Sequence, residues 1–191
     1  MKAKFGFTAG FIVFILVVPG ITRNEVGDTY ENLPLNMDSR YVVAGLEDAT
    51  SFSQKLVKAF GTDPILALEF ADWVMEASRR HHIKPELIAS LILVESSFRK
   101  NVESSRGAVG PTQVKPKFWR EFCGNNDLYD PEQNVYCGTM VLSYLKDRCK
   151  GEHSCALSAY NVGFYGDRWQ AGKRYVAKID RELDTLQNVN L

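Results

Sequence analysis

Residues 91–116 read LILVESSFRKNVESSRGAVGPTQVKP. A run of large apolar residues, Leu91 to Val94, ends in a lone glutamate, Glu95, followed by Ser96 and Ser97. Upstream, Lys84-Pro85-Glu86 has the form of a helix start, with proline in the first turn and an acid suited to the positive end of the dipole. Along that helix Ile88, Ile92 and Glu95 fall at i, i+4 and i+7 with Leu91 on the same side, so Glu95 lies on the apolar stripe. A carboxylate on such a face loses solvation, its charged form is disfavoured and its pKa rises. It can then donate a proton near neutral pH, which general-acid cleavage of a glycosidic bond requires. The competing explanation is a partly exposed glutamate held by Ser96 or Ser97.

Working outward, the chain is mainly α. Asp63-Pro64 combines a capping residue with proline at the first helical position, and Ile65, Leu66, Leu68, Phe70, Trp73, Val74 and Ala77 carry a helical pattern to about Arg79. A Gly- and Ser-containing connection over 96–116 leads to DPEQNVYCGTMVLSYLKDR (130–148), a helix with Pro131 near its start. Two more helices, near 153–162 and 171–187, bracket NVGFYGDRW (161–169). Strand alternation is weak throughout. Residues 26–62 are polar with little periodicity and read as a linker or extension. Lys2 and Lys4 precede an apolar stretch from Phe5 to Ile21, the order of an export signal or membrane anchor over 1–25. No small-x-small cleavage site precedes Gly20, so cleaved and retained forms both stay open. Residues 63–191 are left as the globular domain.

Composition narrows the partners. The 191 residues are 45% hydrophobic, enough for a core, and Lys plus Arg equal Asp plus Glu at 23 each, so no overall field draws the chain to nucleic acid. Cys123, Cys137, Cys149 and Cys155 permit three pairings, of which the spacing favours Cys123 with Cys137 and Cys149 with Cys155. They suit an oxidising compartment. No Cys-x-x-Cys occurs and only His153 lies among them, so no metal is expected. Adjacent His81 and His82 point about 100° apart on a helix and cannot chelate one ion together.

The stretch ESSFRKNVESSRGAVGPTQVKP (95–116) closely resembles the catalytic motif of lytic transglycosylases of the lysozyme-like superfamily. That pattern runs Glu-Ser-x-Phe, Ser-x-x-Gly-Ala-x-Gly, two variable apolar residues, Gln and a nearby Pro. Glu95, Ser96, Phe98, Ser104, Gly107, Ala108, Gly110, Gln113 and Pro116 match it. A second block resembles the family's Asp-Pro-x-x-Asn-Ile-x-Ala-Gly helix at Asp130, Pro131, Asn134 and Gly138. A third carries Ala-Tyr-Asn-x-Gly at Ala159, Tyr160, Asn161 and Gly163, and Tyr175 sits where the family has its last motif tyrosine. Two departures stand out: Pro111-Thr112 before Gln113, which puts the sugar subsites in doubt, and Cys137 in place of a small alanine.

The resemblance implies a lysozyme-like α-helical domain with a substrate cleft and no cofactor. Glu95 would be the catalytic residue, first protonating the oxygen between N-acetylmuramic acid and N-acetylglucosamine, then removing the proton of the muramoyl C6 hydroxyl to leave a 1,6-anhydromuramoyl end. Ser104, Gln113, Tyr160, Asn161 and Tyr175 would contact substrate, with Tyr160 hydrogen-bonding toward Glu95 or the sugar. One rival on the same fold is a muramidase, which needs a second carboxylate; Glu103 and Asp130 are the nearest in sequence. Another is a catalytically silent murein-binding module. The expected partner is the glycan strand of peptidoglycan, at the periplasmic or outer face of the inner membrane, in the service of a secretion, pilus, flagellar or phage apparatus or of general recycling.

Overall fold

The computed structural model describes residues 39–191, with side chains from Gly45 onward, so the leader or anchor expected over 1–25 lies outside the described residues. Seven helices follow one another: α1 (Ser39–Phe60), α2 (Pro64–His81), α3 (Pro85–Ser96), the single turn α4 (Pro116–Trp119), α5 (Pro131–Arg148), α6 (His153–Val162) and α7 (Trp169–Gln187). Extended pairing among the described residues is limited to isolated bridges of Val109 with Glu103 and Val114.

The helix starts are set by local chemistry. The Asp63 carboxylate accepts from the Ile65 and Leu66 amides, both at 3.0 Å, ahead of Pro64. Asp130 does the same for the Gln133 amide at 2.9 Å, ahead of Pro131. Each cap satisfies donors that have no partner within the helix. α2 ends at His82, which is left-handed at φ 54°, after a last turn carrying Arg79, Arg80 and His81. The two arginines place positive charge at the negative end of the dipole.

α2 is the central packing element, lying against α1, α3 and α5, while α7 covers α3 and α6. Its buried stripe is Ala67, Phe70, Ala71, Val74 and Ala77. Ile65 and Leu68, expected on that stripe, are exposed at 80% and 47% because they fall on the opposite side of the turn. The Phe70 ring meets Trp73 and Phe98 edge-on, at centroid distances of 4.9 and 5.2 Å. Cys123 pairs with Cys137, tying the segment after α4 to α5, and Cys149 pairs with Cys155 across the α5–α6 corner.

The segment 26–62, read from sequence as a polar linker or loosely packed extension, departs from that reading in its described part. Residues 39–60 form α1, and the compact unit runs from Asp38 to Leu191. Ala49, Phe52 and Leu56 are buried at i, i+3 and i+7. This stripe is too narrow, among so many Asp, Ser, Gln and Lys side chains, to register as amphipathic without a partner helix to receive it. Leu56→Ala is expected to destabilise the domain by about 2–5 kcal/mol, the range for emptying a fully buried leucine site. Denaturant unfolding checks this; a loss under about 0.5 kcal/mol, typical of surface substitutions, would return α1 to the status of a linker.

Candidate active site

α3 places Glu95. Ile88, Ala89, Ser90, Leu91, Ile92 and Ser96 are buried along it, and the helix stops because Ser97 and Phe98 both turn left-handed, at φ 54° and 58°. That conformation is unfavourable for residues with a Cβ. It is offset by the Phe98 side chain, which is 2% exposed and packs on Phe60 and Phe70. The serine alternative fails here: Ser96 donates its hydroxyl to the Ile92 carbonyl at 3.0 Å, and Ser97 to Leu93 at 3.4 Å. Glu95 is held from another helix, by the Tyr175 hydroxyl of α7, which donates to Oε1 at 2.6 Å.

Burial pushes the Glu95 carboxyl above the ordinary carboxylate range. The Tyr175 hydrogen bond, and then the charges of Lys178 and Lys115, pull the other way without cancelling it. Burial and the neighbouring Glu95 charge hold the Tyr175 phenol well above its ordinary value, so it remains a donor. A carboxyl that holds its proton to higher pH than an ordinary glutamate, with one oxygen oriented by a fixed donor, is equipped for proton transfer.

The connection between α3 and α4 is folded around Asn134 of α5. The Asn134 side chain is fully buried and accepts from the Thr112 amide at 2.9 Å and the Thr112 hydroxyl at 2.7 Å. Its own amide donates to the Val109 and Leu128 carbonyls, both at 2.9 Å. Gly110, at φ 71°, lies so close that a Cβ there would stand 2.4 Å from the Asn134 side chain. A Cβ on Gly138 would stand 2.2 Å from the Thr112 hydroxyl. These two glycines admit the loop onto α5. Pro111-Thr112 therefore faces the interior, and the doubt it raised about sugar subsites does not apply to its side chains.

Glu95 opens into a cleft of about 610 Å³ that Ser104, Gln113, Tyr160 and Asn161 also line. Ser104 Oγ accepts from the Arg106 and Ala108 amides at 3.3 and 3.0 Å, closing the turn that carries Gly107. The Gln113 side-chain amide donates to the Gly110 and Val102 carbonyls at 2.9 and 3.3 Å, which leaves its carbonyl oxygen to accept. Of the two partners expected for Tyr160, Glu95 and the sugar, it does not bind Glu95; its hydroxyl donates to the Thr112 carbonyl at 2.9 Å, fixing α6 to the Asn134-held loop. Asn161 is exposed on the rim. Tyr175 is not a lining residue but stands behind Glu95. Among the described residues, Glu95 is the one acid lining the cleft. Glu103 is exposed outside it, and Asp130 is occupied as the cap of α5.

The transglycosylase SLT domain family matches residues 72–183, more than half of the chain and the whole of this site. The chain belongs to that family. A transglycosylase of the Enterobacteria phage PRD1 is 32% identical over 121 residues, covering 63% of this chain and 45% of the phage protein. A membrane-bound lytic murein transglycosylase C of Actinobacillus pleuropneumoniae is 32% identical over 116 residues, covering 52% of this chain and 32% of its own length. An endo-type membrane-bound lytic murein transglycosylase A of Klebsiella pneumoniae is 33% identical over 75 residues, covering 34% of this chain and 37% of its own. The chain thus spans less than half the length of these relatives.

The family motifs leave out part of the cleft wall. Arg106, Lys115, Phe118, Trp119 and Arg168 line it and were not among the residues singled out in the sequence. Phe118-Trp119 carried a usable signal: two adjacent aromatics just after a proline, in a segment with no apolar periodicity to place them in a core.

Two variants test the geometry. Tyr175→Phe removes the bond that favours ionised Glu95, so the alkaline limb of the pH–rate profile should move up. The rate should also fall roughly tenfold or more, the scale of one hydrogen bond to a charged group; an unmoved limb would mean that Tyr175 does not reach the reacting carboxyl. Asn134→Ala strands the Thr112 amide and two carbonyls, at about 1–3 kcal/mol for each unsatisfied group. Its unfolding midpoint should drop accordingly.

Proposed function

We propose that the chain is a peptidoglycan lytic transglycosylase, cleaving the β-1,4 bond between N-acetylmuramic acid and N-acetylglucosamine. The supporting observation is a cleft with one carboxyl, desolvated and oriented, and no second acid on its walls among the described residues. Retaining and inverting hydrolases ordinarily use two carboxyl groups flanking the bond. A transglycosylase needs only one if the same group works twice. Glu95 gives its proton to the glycosidic oxygen, the C1–O bond breaks, and positive charge develops at C1. The resulting carboxylate takes the proton of the muramoyl C6 hydroxyl as that oxygen bonds to C1. Glu95 ends protonated, no water is consumed, and the new end is a 1,6-anhydro ring.

The other residues have supporting roles in this reading. The Gln113 carbonyl, the Ser104 hydroxyl and Asn161 meet the acetamido groups, and Tyr175 positions Glu95. Deprotonation of Glu95 removes the acid, so activity should be lost as pH rises through its raised pKa rather than near the ~4.3 of an ordinary glutamate. The substrate implies a site of action in the periplasm or at the outer face of the inner membrane. Recruitment by a secretion, pilus, flagellar or phage apparatus belongs to the same proposal.

Mass spectrometry of muropeptides released from purified peptidoglycan, by the chain and by Glu95→Gln, decides the reaction. Anhydro ends are expected from the first and none from the second. Reducing ends would make the protein a muramidase, and no release from either would favour a binding module.

A further inference from the structure

Outside the cleft lies a cluster of exposed aromatic rings that the proposed reaction leaves unused. Val141, on the cleft floor, begins a row on one face of α5 that continues through Tyr144 and Arg148 at i+3 and i+7. Phe122 flanks the row on one side, its ring 5.1 Å from Tyr144 and 5.4 Å from the cleft-lining Trp119. Phe164 flanks it on the other, with the Arg148 guanidinium 5.0 Å from its ring. Arg148 also donates to the Tyr144 hydroxyl at 3.2 Å. Phe122, Tyr144 and Phe164 are 39%, 37% and 41% exposed, so the row presents aromatic faces to solvent on both sides of Arg148.

We propose that this shelf is an additional subsite for the glycan strand, taking sugars beyond those held over Glu95; the proposal rests on the transglycosylase reading of the cleft. Continuity is its main support. The shelf is no separate patch, because Trp119 belongs to both surfaces and Val141 and Tyr144 share a helix face. A polymer whose scissile bond lies at Glu95 must leave the cleft along some wall, and this wall continues with the chemistry of a sugar site. Pyranose rings present a face of C–H bonds that stacks on aromatic rings, while Arg148 and the Tyr144 hydroxyl can meet hydroxyl and acetamido groups at the edges. Such a shelf favours long strands over short ones at unchanged chemistry.

The test uses the full chain carrying Glu95→Gln, so that binding is read without turnover, with two peptide-free probes: a tetrasaccharide of the strand and long strands from amidase-treated peptidoglycan. The long strands should bind more tightly than the tetrasaccharide. Adding Phe122→Ala or the exposed-site change Arg148→Ala should remove that length advantage, by about tenfold for a lost stacking contact. Tyr144→Phe, which keeps the ring, should retain most of it. Equal affinity for both probes in the parent overturns the proposal, as does an equal loss on both probes in the variants, which would mark the rings as structural. Failure of the transglycosylase reading shows elsewhere, as absence of anhydro ends from the unsubstituted chain.

Discussion

The buried amide of Asn134 is the constraint on which the cleft depends. The connection from Ser97 to Lys115 has almost no regular structure, and long connections of that kind are ordinarily mobile or functional. Here one side chain from α5 uses both ends of its amide to gather three backbone groups and a hydroxyl from segments that share no ladder. Gly110 and Gly138 are small because anything larger would hold the loop away from this amide. With the loop fixed, Gln113 and Ser104 face the cleft and the Thr112 carbonyl is in place to receive Tyr160. The wall of the site on the α3–α4 side therefore inherits its position from α5, a helix that contributes no proton-transferring group.

Glu95 shows the opposite economy. A half-buried carboxyl beside a helix end is a poor choice for stability, since its ionised form is disfavoured and neutralising it would cost nothing in packing. The structure does not remove this penalty by pairing the carboxylate directly with a cation. It supplies one neutral donor, Tyr175, and leaves Lys115 and Lys178 at a distance where they moderate the shift without abolishing it. A salt bridge would have lowered the pKa and discarded the acid. The neutral donor orients the group and lowers its pKa without reversing the rise that burial causes, so the proton stays available.

Much of this was legible in the sequence, for definable reasons. The caps at Asp63 and Asp130, with prolines behind them, are local chemistry and announce their helices directly. The placement of Glu95 on an apolar stripe follows from helical period alone. The partner of Glu95 does not, because nothing local distinguishes Tyr160 from Tyr175 as its donor; the answer depends on how α6 and α7 cross α3. The same limit hid α1, whose stripe of Ala49, Phe52 and Leu56 acquires meaning only against α2. It hid the shelf as well, since Phe122 meets Tyr144, and Phe164 meets Arg148, from separate segments and only in the fold.

The two departures from the family pattern turn out to lie along one seam. Thr112 packs on Gly138, and the preceding residue, Cys137, is fully buried and bonded to Cys123. Both departures attach a flanking segment to α5: the Glu95 loop through the Thr112 hydroxyl, and the Phe118–Phe122 wall through the disulfide. A disulfide contributes chiefly by restricting the unfolded chain, but this one also anchors the aromatic wall close to where it leaves the cleft. A hydroxyl and a sulfur bridge, absent from the general pattern, thus brace from beneath the surfaces that the motif residues line from above.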